Sequence, residues 1–271
     1  EKDTVLGMFA NAVANYSEGQ PGRAWRSVED TTYDPITNSR RPLPYSSLQR
    51  SEDYYVEGAL TWLEADQIIR EGTRGRKGLD DFAKAFFGKS DGDWGVSTYD
   101  FDEIVETLNA IYPYDWAEFL DTRLRQPDQP APVRGLEKAG YRLVWKDTPN
   151  PYAEGRSSSG KSLDLFYSLG VVLDGDGKVS STLWDGPAFD AGIVNGATIV
   201  AVNGDAYSKD VIRDAVTAAK DGSEPITLLV KRGERFDTLE IPYHGGLRYP
   251  WIEPVSGGTQ GLDRLLAART K

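Results

Sequence analysis

The string Gly186-Pro187-Ala188-Phe189-Asp190-Ala191-Gly192-Ile193, followed by Gly196-Ala197-Thr198-Ile199-Val200-Ala201-Val202-Asn203-Gly204, constrains the fold more than any other part of this chain. Pro187 suits the first position of a short helix, where its missing N–H is not needed. Gly192 suits the residue after that helix, where a left-handed backbone is easiest for glycine. Ile199–Val202 is apolar and β-branched, as strand residues are. Asn203-Gly204 is the dipeptide favoured in a tight hairpin turn. These signals predict a short helix near Ala188–Ala191, then a strand and a turn, within a small α+β fold.

The totals bound what surrounds this string. The chain has 271 residues, long for one domain and comfortable for two. Hydrophobic residues are 39% and charged residues 27%, a folded globular balance. No apolar run reaches the roughly 20 residues of a membrane span. The opening Glu1-Lys2-Asp3-Thr4 is charged and is no signal peptide. Without an initiator Met, a processed chain or an excised fragment is expected. A net charge of -11 argues against a nucleic-acid partner, since phosphate binding needs clustered Lys and Arg. The chain has no Cys, which excludes disulfides, thiolate metal sites and Cys nucleophiles. It has one His, His244, so the common His-based zinc arrangements cannot be assembled, and H-E-x-x-H is absent. No G-x-S-x-G elbow exists to pair with His244. A local hydrogen-bonding or packing role is expected for it. The lack of Cys fits a periplasmic and a cytoplasmic protein equally well.

Periodicity divides the chain. Apolar residues at three- and four-residue steps predict helices over 3–18, 52–71, Leu79–Phe87, about 101–111 and 115–125. Asp100 and Glu103 form a capping-box pattern at the start of one of them. Residues 20–51 read as an ordered meander. Gln126 to Pro132 is a Pro-rich linker. Beyond it, strands are expected at Tyr141–Trp145, Leu165–Leu173, Lys178–Leu183, Ile199–Val202, Ile226–Lys231 and Thr238–Pro242, with a longer helix at Asp210–Lys220. A helical half thus precedes an α+β half. Leu262–Ala268 reads as a terminal helix.

Two stretches carry misleading letters. Gly155 to Ser162 spells G-x-x-x-x-G-K-S, but it follows Pro149-Asn150-Pro151 instead of a buried strand, and a flexible Gly/Ser loop is expected. Asp174-Gly175-Asp176-Gly177-Lys178 starts like a calcium loop, but no Glu closes it, and a hairpin turn is expected.

The Gly186–Gly204 string resembles the core of a bacterial-type PDZ domain, with Ala197 where Asp is usual. The resemblance implies a peptide groove between one strand and the helix Asp210–Lys220, where a bound chain end adds to the sheet edge. It assigns the carboxylate-holding loop to Ser168-Leu169-Gly170-Val171, and possible pocket positions to Val211, Ala215 and Ala218. Such modules inside enzymes also occur packed against neighbours with no free groove, and both states stay open here.

Further motifs lie outside that half. They are Ser51 to Leu60, Trp62-Leu63-Glu64-Ala65-Asp66, Ile69-Arg70-Glu71, Leu79-Asp80-Asp81-Phe82, Phe86-Phe87-Gly88, Tyr114-Asp115-Trp116 and Tyr243 to Pro250. With the PDZ-like string they resemble the C-terminal part of the glycyl aminopeptidase family, zinc metallopeptidases of the gluzincin group. The resemblance implies a multi-domain fold. Residues 1–127 would be a mainly α-helical C-terminal part of a thermolysin-like catalytic domain. Residues 128–248 would be an α+β PDZ-like domain, and 249–271 a tail with a short helix. It implies a peptide substrate with a small N-terminal residue such as Gly or Ala. It also implies zinc in the complete enzyme, with none bound by this chain alone. The zinc ligands are expected from an upstream segment of the same protein or from a separate chain. By analogy with the neighbouring aminopeptidase N family, Tyr55, three residues before Gly58, would donate its hydroxyl to the developing oxyanion. Glu57 stands where that family has Lys, and Tyr54 is the rival candidate. The alternative function is a stand-alone PDZ-type peptide-binding or scaffolding module without catalysis.

Overall fold

The computed structural model describes residues 2–37, 43–90, 92–258 and 261–268. The parts of the expected meander at 38–42 and of the expected tail at 259–260 and 269–271 lie outside these residues. The chain divides into two compact units.

The first unit draws on residues 2–23, 43–51 and 143–253. It opens with α1 (Lys2–Ala14), which widens into a π-helical turn at Asn15–Gly19. α1 packs on α9 (Pro151–Gly160). Gly7 permits this approach, because a Cβ there would collide with the Asn150 side chain. α9 replaces the Gly/Ser loop expected at 155–162. Asn150 caps it by accepting the Ala153 N–H at 2.9 Å, and Pro151 takes the first turn. The G-x-x-x-x-G-K-S letters therefore begin inside a helix, and no phosphate-cradling loop forms. α3 (Ser46–Gln49) belongs to the same unit, and Ser47 accepts the Trp184 N–H at 3.0 Å.

The run expected as one strand over Leu165–Leu173 is two strands joined by a turn. These are β2 (Leu163–Leu165) and β3 (Val171–Leu173). The chain reverses because the Leu165 carbonyl takes the Ser168 and Gly170 N–H groups, both at 3.1 Å, and Gly170 sits at φ +83°. β4 (Val179–Thr182) completes a sheet of order β2-β3-β4. Between β3 and β4, the Asp174 carboxylate accepts the Asp176 and Lys178 N–H groups at 2.9 Å, so the calcium-like letters make a hairpin turn.

The Gly186–Gly204 string folds as its chemistry dictates. Pro187 starts α10 (Pro187–Asp190), and Gly192 follows it at φ +89°. β5 (Thr198–Val202) turns through Asn203 and Gly204, both at positive φ, into β6 (Asp205–Ala206). After α11 (Lys209–Ala219) come β7 (Ile226–Arg232) and β8 (Arg235–Ile241). The second sheet has the order β6-β5-β7-β8. Leu163, Leu165, Leu173, Ile199, Ile212 and Leu228 belong to one buried cluster shared by both sheets and α11. β1 (Tyr141–Lys146) and β9 (Tyr249–Pro254) form a separate two-stranded sheet.

The second unit draws on residues 24–37, 52–142 and the described residues from 254 onward. It holds α2 (Asp34–Thr37), α4 (Val56–Gly72), α5 (Leu79–Phe87), α6 (Phe101–Ile111), α7 (Trp116–Leu124), α8 (Arg134–Lys138) and α12 (Gly261–Leu266). Residues 1–127 thus contribute to both units, and the Pro-rich stretch 126–132 lies inside the second. α4 starts at Val56, four residues later than its periodicity predicts, because Glu52 takes φ +49° and residues 52–55 form a turn. Its apolar face is buried, with Ala65, Ile68 and Ile69 against Phe82 and Phe86 of α5, Leu108 of α6 and Trp116 of α7. Asp100 caps α6 through the Glu103 N–H at 2.9 Å.

Two buried carboxylates organise α4. Asp66 accepts the Leu79 N–H at 2.8 Å and the Arg70 Nε–H at 2.6 Å, so it ties the first turn of α5 to α4. Glu64 accepts from Arg123 of α7 at 2.7 Å. α8 comes so close to α4 that a Cβ on Gly135 would stand 2.6 Å from the Glu64 backbone nitrogen.

Candidate functional site

Tyr55 occupies the N-cap position of α4 and is 64% exposed. It lies outside the buried face of α4. Its ring lies 4.6 Å from that of Tyr54, which is half-buried. Gly58 follows one turn later, and a Cβ there would meet no atom within 4 Å. The surface beside Tyr55 is therefore open, and its hydroxyl can reach a group brought to it. Glu57, on the other side of the turn, is buried.

In the first unit, Leu169, Gly170 and Val171 lie at the start of β3, and all three are buried. Their partner there is the chain's own β2, through the pairs Leu165↔Val171 and Leu163↔Leu173. Val211 and Ala215 of α11 are half-buried against the same apolar cluster, while Ala218 is exposed. Ser168 is buried, and its hydroxyl accepts the Arg248 N–H at 3.0 Å.

A cavity of about 520 Å³ opens beside β2 and α11. Lys161, Asp164, Lys209, Arg213 and Tyr249 line it. Lys209 donates to the Lys161 and Ser162 carbonyls at 2.6 and 3.3 Å. Burial pushes the Asp164 carboxyl above its ordinary range, against the opposing pull of the Phe166 N–H and Arg156. Burial also raises the Tyr249 hydroxyl, helped by the Asp164 charge and opposed by Arg213. The sequence reading of α11 passed over Lys209 and Arg213. Their four-residue spacing, which sets both on one helix face, was the signal.

His244 makes the local contact expected of it: Nδ1 lies 2.9 Å from the Ala219 carbonyl oxygen. Among the described residues no group of three His, Cys, Asp or Glu side chains is placed to hold a metal ion. The zinc that the resemblance implies does not fit these residues. Among the described residues no helix is long and apolar enough to cross a membrane.

Comparison with known proteins gives three findings. Residues 1–61 match the model of the M61 glycyl aminopeptidases. No curated protein matches the chain. Among solved structures, an aminopeptidase N family protein from Idiomarina loihiensis is similar in fold, with a TM-score of 0.59 and 16% sequence identity. The similarity covers 89% of this chain and 41% of that one, so the chain spans less than half the length of that structure. The HtrA3 PDZ domain bound to a phage-derived ligand is also matched, over 44% of this chain and 95% of that one, at 18% identity and a TM-score of 0.22.

Proposed function

We propose that this chain is the C-terminal portion of a zinc aminopeptidase that removes small N-terminal residues, Gly or Ala, from peptides. The match of residues 1–61 to the M61 glycyl aminopeptidases carries this reading. Residues 1–127 wall the substrate cleft, 128–248 form the appended PDZ-like module, and 249–271 are its tail. The zinc ligands come from an upstream segment or from a separate chain, and the chain by itself is inactive.

Two features of the second unit support the reading. Tyr55 stands exposed beside the open surface at Gly58. Its hydroxyl is a hydrogen-bond donor for the oxyanion that develops on a substrate carbonyl, and such a donor is most effective where water is excluded. Trp25, Tyr33, Ile36, Val56 and Trp94 of the same unit are also large apolar side chains left exposed. Side chains of this kind are what a surface covered by further protein would present.

Metal analysis of the 271-residue chain after incubation with zinc and removal of the excess tests the assignment. The expected result is no stoichiometric zinc and no hydrolysis of Gly- or Ala-p-nitroanilide. One tightly held zinc per chain would place a complete metal site here and overturn it.

A further inference from the structure

We propose that the PDZ-like groove is self-occupied: β2 is the resident ligand of the β3 edge, and an outside chain end enters only if β2 leaves.

An extended peptide joins a sheet by pairing with a strand whose edge is free. β3 has no free edge. β4 pairs with it on one side, and β2 on the other. The β2 partner runs antiparallel, with Leu165 opposite Val171 and Leu163 opposite Leu173. Its end at Leu165 thus lies next to the turn 166–170, the direction from which a chain terminus would meet the loop amides. Those amides are engaged as well. Ser168 and Gly170 both donate to the Leu165 carbonyl at 3.1 Å, so the oxygen of an internal peptide bond takes the place of a terminal carboxylate oxygen.

The apolar side of the groove is filled in the same way. Leu163 and Leu165 are buried in one cluster with Ile212 and Val216 of α11, and Val211 and Ala215 pack against it. On the far side of β2, Lys209 of α11 holds the carbonyls of Lys161 and Ser162, which fixes the start of the strand. β2 is only three residues long, so only a short ladder holds it on β3.

Amide hydrogen exchange and chemical shifts, read by NMR on the whole chain, test the proposal. The probes are a pentapeptide ending in a free Val carboxylate and its C-amidated form. In the chain alone, the Ser168 and Gly170 amides are expected to be protected. The free-carboxylate peptide is expected to leave residues 163–173 unshifted, or to shift them together with loss of the β2 pairing. Unprotected Ser168 and Gly170 amides, or a bound peptide that leaves β2 paired, would overturn the proposal. Because the chain has no Cys, the double variant Asp164→Cys/Val172→Cys allows a single disulfide across the β2–β3 pair. In that locked chain any peptide binding is expected to be lost, and persistence of the wild-type affinity would contradict self-occupation.

Discussion

The Asn150 side-chain amide donates to the Pro250 carbonyl at 2.8 Å, joining positions one hundred residues apart in sequence. The same side chain caps α9 through its oxygen, and it is fully buried. Removing it takes away a helix cap, which costs about 0.5–2 kcal/mol. It also leaves the Pro250 carbonyl without this donor, which costs about 1–3 kcal/mol for a buried group. Asn150→Ala is expected to lower the stability of the first unit by about 2–4 kcal/mol, read from the denaturant midpoint. A midpoint unchanged from wild type would show that neither bond matters.

Gly135 tests the packing of α8 on α4. A methyl group there meets backbone atoms of Leu63 and Glu64, which cannot rotate away. Gly135→Ala should lose about 1–3 kcal/mol, the usual cost of overpacking, even though Ala is the better helix former. Stabilisation would mean that the two helices are not in close contact in solution.

Asp66 is the buried hub between α4 and α5. Asp66→Ala strands the Arg70 guanidinium and the Leu79 N–H together. Breaking a buried pair from one side costs about 3–5 kcal/mol. The measurement is urea unfolding followed by tryptophan fluorescence, since Trp62 and Trp116 lie in the neighbouring core.

Asp164 predicts a pH dependence with a definite sign. Burial raises its folded-state pKa above the ordinary 3.8. Its contribution to stability is fully present below that ordinary value and is lost as pH rises through the folded value. Asp164→Asn keeps an oxygen to accept the Phe166 N–H at 2.9 Å and cannot ionise. The variant is expected to be more stable than wild type at neutral pH, with the gap closing as pH falls below about 4. Equal stability at every pH would show that Asp164 ionises without cost.

What could be read from the sequence was the local chemistry. Pro187, Gly192, Asn203 and Gly204 each demand one backbone conformation, and each adopts it. Asp100 capped its helix as its spacing to Glu103 implied. What was misread depended on partners distant in sequence or on competing signals. The Ser-rich composition of 155–162 hid a helix, although Asn150 before Pro151 was a start signal, and packing on α1 overrode propensity. The apolar run 165–173 gave no sign that its first residue would turn back onto its own amides. Tyr55 falls within the helix that periodicity predicts over 52–71, but the turn set by Glu52 leaves it exposed at the N-cap. For the candidate site, the glycine turn before β3 could be read from Gly170, while the pairing of β2 with β3 could not.

Turnover of Gly-p-nitroanilide by the complete protein, wild type against Tyr55→Phe, tests the central claim most directly. Tyr55 is exposed and loses only its hydroxyl, so folding is expected to be unchanged. If Tyr55 donates to the oxyanion, kcat falls about 100- to 1,000-fold with zinc content unchanged. Unchanged turnover in the Phe variant would contradict the account.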